Sequence, residues 1–241
     1  TKKFKNFIEI LISDNCSTDQ TKNIVSYFKK KNNKNKIFKI KYIKRKINIG
    51  FRKNFLLQEK FLNGKYVLFL NDDDLPPKNF YKNLFDLIHG KEINEMIIFP
   101  IINSNKYYKP LFGKANKISY IINRGSILSG IVLKKSLINF KLSLKNLYPQ
   151  TELYLDYYLK FGMRDVDLNS KIKNLDYKKI SEKINSDDRM QRGPDFAILG
   201  KIEIIEKFYK IKKISFLEYF YSLYSVYKSG LNVFKDNIYF G

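Results

Sequence analysis

Residues 65–70 read KYVLFL, and this apolar run passes without a break into Asn71-Asp72-Asp73-Asp74-Leu75-Pro76-Pro77. A short apolar run between turn signals is the pattern of a buried strand. Three carboxylates at its end repel one another, and such a cluster persists where a cation or a proton relieves it. Open α/β sheets carry their ligands at the carboxyl ends of their strands. Carboxylate oxygens without nearby His or Cys suit a hard ion, Mg²⁺ or Mn²⁺, which keeps positions open for substrate phosphates. The spaced DxDxDG pattern of a calcium loop is absent. Taken alone, the triplet reads equally well as an acidic turn that caps the next helix.

Strand and helix signals alternate through the first two-thirds of the chain, which predicts an α/β fold with parallel strands. Residues 7–13 (FIEILIS) form a strand pattern that ends in the polar turn DNCSTD. Ser17 or Thr18 is expected to cap a helix over 19–30. Residues 37–43 alternate with lysine, as a half-exposed strand near a sheet edge does. A helix over 53–62 stops at Asn63-Gly64, and Pro76-Pro77 lead into a helix over 78–89 closed by Gly90. Residues 96–102 and 127–133 are further strand candidates, and Thr151 is expected to cap a helix over 152–161. Beyond about Asn174 the pattern changes. Ile214, Phe216, Leu217, Phe220, Tyr224, Tyr227, Leu231 and Phe234 recur at helical spacing, so the last third is mainly helical.

A chain of 241 residues with 44% hydrophobic and 16% aromatic residues can bury a substantial core, which argues against disorder. Its formal charge is +23, a field that attracts polyanions. Lysine, asparagine and isoleucine abound throughout, however, and Lys29–Lys46 carries ten Lys or Arg without one acid. General compositional bias accounts for most of that charge. No nucleic-acid motif is present, so no nucleic-acid partner is expected. The single Cys16 excludes an intramolecular disulfide framework and fits a reducing, cytoplasmic compartment. No apolar run reaches the roughly 20 residues of a membrane-spanning helix.

In order, the motifs are a strand ending in DNCSTD, then NIGFRKN, then GKYVLFLNDDDLPP. This order resembles the N-terminal half of family 2 glycosyltransferases. The spacing from Asn48-Ile49-Gly50 to Asn54 and the GKYVLFLNDDD run resemble the abequosyltransferase-like branch in particular. The resemblance covers about residues 7–90 well, extends to about 165 loosely, and hardly touches the remainder. It implies a GT-A fold, Rossmann-like, with a mostly parallel central sheet flanked by helices. That fold would occupy 1–175, with a helical C-terminal region over 176–241. The family's first strand, with its Pro-x-Tyr-Asn-like turn, does not precede the Asp14 strand, and the chain does not begin with Met. The N-terminus is therefore expected to be truncated in this sequence.

The resemblance also implies an inverting transfer of a sugar from a nucleoside-diphosphate donor, UDP-linked, to a saccharide or lipid-linked glycan in bacterial surface polysaccharide synthesis. Asp14 occupies the position that accepts a hydrogen bond from the base, where a carboxylate selects a ring N–H such as uracil's. An Asx-type turn is its structural alternative. Asn48, Asp72, Asp73 and Arg192 fall at nucleotide-binding positions. Asp72 and Asp74 are the metal ligands, and the register within the triplet is open because the family's first Asp often aligns with Asn71. Transfer also needs a base for the acceptor hydroxyl. Ser129-Gly130 followed by a helix near Thr151 nominates Glu152, with Asp156 one turn on, although the family's Glu-Asp pair is missing and Gln150 falls at the aligned position. An N-terminal helix acid is the alternative for Glu152. Arg189 and Arg192, beside Gly193-Pro194, lie where the family has a loop that closes over the diphosphate.

The stretch Glu206–Phe240 mixes lysine with Phe and Tyr. Its periodicity reads first as helical core, and second as peripheral contact with the inner face of an anionic membrane. Two rival functions stand beside the transferase. A sugar nucleotidyltransferase is disfavoured by the absence of a Gly-rich triphosphate loop, and a basic, non-catalytic binder of anionic polymer would have no nucleotide affinity.

Overall fold

A computed structural model describes residues 8–35, 38–72, 74–99, 101–103, 106–107, 114–125, 128–141, 148–165, 172–174 and 194–238. The chain divides into two compact units, Thr1–Lys65 and Tyr66–Gly241.

In the first unit, β1 (Glu9–Asp14) leads through α1 (Thr21–Asn35) to β2 (Lys39–Lys44), and the two strands pair in parallel from Glu9↔Lys39 to Asp14↔Lys44. The cap of α1 differs from expectation. Asp19, rather than Ser17 or Thr18, accepts from the Thr21 N–H at 2.9 Å. A carboxylate two residues back closes this turn directly, so the helix starts at Thr21. Next, α2 (Phe51–Leu57) begins two residues before the predicted start and tightens into a 3₁₀ turn over Gln58–Phe61. Phe55 on α2 is buried, and Lys41 and Arg45 lie over the Phe61 ring at 5.1 and 5.8 Å.

The second unit holds two four-stranded ladders. One runs in the order β3 (Tyr66–Phe69), β8 (Ile131–Lys134), β5 (Met96–Ile98), β9 (Met163–Asp165). The other runs β4 (Asp74–Leu75), β10 (Ile172–Asn174), β6 (Ile101–Asn103), β7 (Lys106–Tyr107). β5 pairs with β9 and β10 with β6 in parallel, while β8 runs antiparallel to both its neighbours. The single strand expected over 96–102 is thus two strands in different ladders, with Pro100 between them outside the described residues. β8 starts later than predicted because Gly130 takes φ 80°, a left-handed conformation that ends the preceding turn (Ile127 is outside the described residues). Phe80 and Leu84 of α3 (Phe80–Ile88) pack with Ile93, Ile97, Phe99 and Val132 in one buried cluster. Each such side chain contributes about 1.5–3 kcal/mol by leaving water.

Four more helices complete this unit: α4 (Lys114–Arg124), α5 (Pro149–Phe161), α6 (Pro194–Lys210) and α7 (Phe216–Ile238). The C-terminal region is helical as read, and α7 packs on α4 and α6. In α5 the expected Thr151 cap is displaced. Pro149 occupies the first turn, its ring pre-setting the helical φ, and Thr151 is fully buried one turn inside.

Gly125, at the end of α4, makes this packing possible. A Cβ there would sit 2.6 Å from the Ile121 carbonyl oxygen and 3.2 Å from Thr151 Cα. Both obstacles are backbone and cannot swing aside. Gly125→Ala is therefore expected to destabilise the protein by about 1–3 kcal/mol, read as a drop of several degrees in the thermal midpoint. Gly90→Ala, which meets nothing within 4 Å, is the comparison variant that separates this clash from the strain of a positive φ alone.

Candidate active site

In the first unit the candidate residues lie at the carboxyl ends of the parallel strands. Asp14, the last residue of β1, is 5% exposed. Its Oδ1 accepts from the Ser17 N–H at 2.7 Å, and its Oδ2 accepts from the Tyr42 hydroxyl at 2.5 Å. The Asx-type turn given as the alternative for Asp14 is therefore present. Burial alone would raise the Asp14 pKa, but the Tyr42 and Ser17 bonds and the Lys44 charge outweigh it and hold the carboxyl below its ordinary 3.8. The same bond pushes the Tyr42 phenol up to about 12. Cys16 sits in this turn with φ 73° and is half-buried.

The NIGFRKN segment acts here as a set of amide clamps. Asn48 Oδ1 accepts from Asn15 Nδ2 at 2.6 Å and from the Gly50 N–H at 2.9 Å, while Asn15 Oδ1 accepts from the Ile49 N–H at 3.0 Å. These bonds join the loops after β1 and β2. Asn54, nearly buried on α2, donates through Nδ2 to the Ser13 carbonyl at 3.2 Å. Its Oδ1 accepts from Ser13 Oγ at 2.8 Å and from Arg45 Nε at 3.2 Å. Asn48 thus has a positioning role beyond the nucleotide contact expected of it.

In the second unit the acidic turn follows β3. The Asn71 N–H donates to Ser129 Oγ at 2.6 Å, and the Gly130 N–H donates to the Phe69 carbonyl at 3.0 Å. Ser129-Gly130 therefore lies directly beside the triplet. Asp72 is exposed, whereas Asp74 begins β4 and is 6% exposed. Asp73 lies outside the described residues. Beneath the turn, Arg124 is 2% exposed, and its Nη2 donates to the Phe99 carbonyl at 3.2 Å and the Ser129 carbonyl at 2.5 Å. Burial depresses the Arg124 pKa, while the charge of Asp74 is among the interactions that sustain it. Of the two described carboxylates of the triplet, one thus faces water and the other is buried.

Mg²⁺-type sites need only one or two protein carboxylates, because waters and substrate phosphates fill the rest. Asp72, exposed at the turn, fits this requirement. Asp74, the second ligand expected, is buried in this structure. Among the described residues, no three His, Cys, Asp or Glu side chains gather as a metal-holding group.

The two candidate bases both lie in ion pairs. Glu152 is 1% exposed, and Lys207 of α6 donates to its Oε1. Asp156 is buried between Lys160, at 2.6 Å, and Lys213, at 3.3 Å. Glu152 thus ties α5 to α6, and Asp156 ties α5 to the turn before α7. Arg189 and Arg192 lie outside the described residues. Sequence reasoning missed Arg124 and Tyr42. Arg124 left a trace, since arginine is scarce in a chain with 40 Lys and 6 Arg, so bias does not explain it.

The family model described as glycosyl transferase family 2 matches residues 2–141. The abequosyltransferase RfbV of Salmonella typhimurium is 38% identical over 78 residues, a match that covers 32% of this chain and 22% of that protein. This chain therefore spans less than a quarter of that relative. The crystal structure of S. aureus TarS is similar with a TM-score of 0.51 and 18% identity, covering 85% of this chain and 38% of that one. A structure of S. aureus TarS 1-349 in complex with UDP gives a TM-score of 0.52 and 16% identity, covering 86% of this chain and 64% of that one. At those identities the likeness establishes the fold, which is α/β and GT-A. A family match across more than half of the 241 residues, over the segment that carries the amide clamps and the acidic turn, makes this chain a member of glycosyltransferase family 2.

Proposed function

We propose that the protein transfers a sugar, with inversion, from a UDP-linked donor to a saccharide or lipid-linked glycan of the bacterial surface, working at the inner face of the membrane. The observation that carries this reading is the acidic turn at the end of β3, held from beneath by Ser129 and Arg124 with Asp72 left facing water. The UDP in the complexed TarS structure and the name of the 38% identical relative support it.

The roles follow from the chemistry. Asp14, ionised and already oriented by Tyr42 and Ser17, keeps lone-pair capacity for a ring N–H of the base. Asn15 and Asn48 hold the loops around it. Asp72 and Asp74 would hold Mg²⁺ or Mn²⁺ for the diphosphate, with Asp73 as the neighbouring nucleotide contact. The bound cation would offset the charge that develops on the leaving diphosphate. As the acceptor oxygen bonds to the anomeric carbon, the bond from that carbon to the diphosphate oxygen breaks. The electron pair leaves with UDP, and the acceptor proton passes to a base.

Two predictions test this reading. Slow UDP release from a UDP-sugar should require Mn²⁺ or Mg²⁺ and fall by about 100-fold or more in Asp72→Ala, while the thermal midpoint without ligand stays put. Release that survives both a chelator and Asp72→Ala would overturn the metal assignment. Binding of heparin with no affinity for UDP would favour the non-catalytic reading. The second prediction concerns pH. A carboxylate with a lowered pKa contributes stability that is present above its ordinary 3.8 and lost as pH falls through the folded value. Tyr42→Phe removes a bond that holds Asp14 down. The loss of thermal stability between about pH 5 and pH 2 should therefore be smaller in that variant than in the parent. Equal losses in the two proteins would show that Tyr42 does not set the Asp14 charge.

A further inference from the structure

Helix α7 is built with its aromatic face outward. Phe216, Leu217, Phe220, Tyr221, Tyr224 and Tyr227 are between 45% and 66% exposed. At 100° per residue they occupy one continuous arc of about 140°. Within that arc the remaining position is Lys228, which is also exposed. The opposite face, with Glu218, Ser222 and Val226, is buried. Its polar groups are met inside the protein. The Ser215 N–H donates to Glu218 Oε2 at 2.7 Å, the Glu218 N–H donates to Ser215 Oγ at 3.3 Å, and Asn123 of α4 donates to Ser225 Oγ at 2.9 Å. The first two bonds form a capping box at the helix N-terminus, and the third ties the polar side to α4.

The patch continues onto the turn before α7. Tyr209 stacks on Tyr219 with centroids 4.4 Å apart, Ile211 is exposed, and Lys210, Lys212 and Lys213 surround them. From Phe216 to Lys228 the one acid is Glu218, and it faces inward.

We propose that this face docks in the plane of an anionic lipid bilayer. Phe and Leu would enter the acyl boundary, the Tyr hydroxyls would remain at headgroup level, and the lysines would meet lipid phosphates. Charge complementarity selects this occupant. A chain of formal charge +23 repels its own copies and is drawn to an anionic surface. No helix among the described residues is long and apolar enough to cross a membrane, so the contact lies along the surface. The assignment stands on α7 alone and does not require the transferase reading, although it would bring that activity to a lipid-linked acceptor.

Co-sedimentation of the full 241-residue chain with vesicles tests it. The chain should bind vesicles of phosphatidylglycerol and phosphatidylcholine at least tenfold more tightly than vesicles of phosphatidylcholine alone. In the triple variant Phe216→Ser, Phe220→Ser, Tyr224→Ser that affinity should fall at least tenfold, with the thermal midpoint and vesicle-free UDP release unchanged. Three results would each overturn the proposal. A folded parent could fail to bind anionic vesicles. The triple variant could bind as tightly as the parent, which would leave bulk charge as the cause. Light scattering could reveal a dimer that the triple variant dissociates, with no vesicle binding by either protein, which would assign the face to a second copy. Because UDP release is measured without lipid, failure here and failure of the transferase reading are separate outcomes.

Discussion

The second unit depends on one buried guanidinium. Removing an arginine from water is costly unless its donors are met and its charge is balanced. Arg124 is held by bonds that also build the site. One terminal nitrogen binds the Phe99 carbonyl, just past β5, and the Ser129 carbonyl, just before β8. Ser129 in turn receives the Asn71 N–H, so a chain of bonds runs from the end of α4 to the first residue of the acidic turn. Asp74 supplies opposite charge from within that turn. The acidic segment is thus held from below by a helix, while Asp72 faces solvent.

The first unit solves a similar problem with neutral groups. Two parallel strands end side by side, and the loops that leave them must keep fixed positions if a ligand is to sit there. An amide side chain can donate and accept at once, whereas lysine can only donate. That is why asparagine, and not the lysine so common elsewhere in the chain, joins the loops at Asn15, Asn48 and Asn54. Asp14 is the charged exception. It stays ionised despite burial because Tyr42, Ser17 and Lys44 together outweigh the desolvation of its carboxylate.

Much of this was legible in the sequence, and the reasons differ by element. The strands Glu9–Asp14 and Tyr66–Phe69 were visible because apolar runs of strand length end at polar turns, and the motifs after them place the ligand-facing edges. Register and partner were not visible. Residues 96–102 look like one apolar strand, yet they serve two ladders, since nothing local reports which strand will pair. The ion-pair partners of the candidate bases were hidden for a related reason. A helix acid near a Ser-Gly strand is the same string whether it faces a cleft or a lysine from a helix some 50 residues on, and Glu152 meets Lys207. Arg124 and Tyr42 escaped because each acts on a group distant in sequence.

Helix α7 shows the same limit in its sharpest form. Periodicity identifies an apolar face and a polar face, but carries no sign that says which one turns inward. The ordinary assumption puts the aromatics inside, where each Å² removed from water is worth about 25 cal/mol. Here the inward face consists of Glu218, Ser222, Ser225 and Val226. Burying it costs little, because Ser215 caps Glu218 and Asn123 binds Ser225 before any apolar contact is counted. Satisfied polar groups can therefore line a helix interface as stably as apolar ones, and the aromatic face is released for use outside the fold. The bonds from α4 to Ser222 and Ser225 fix the orientation in which the aromatic face points outward.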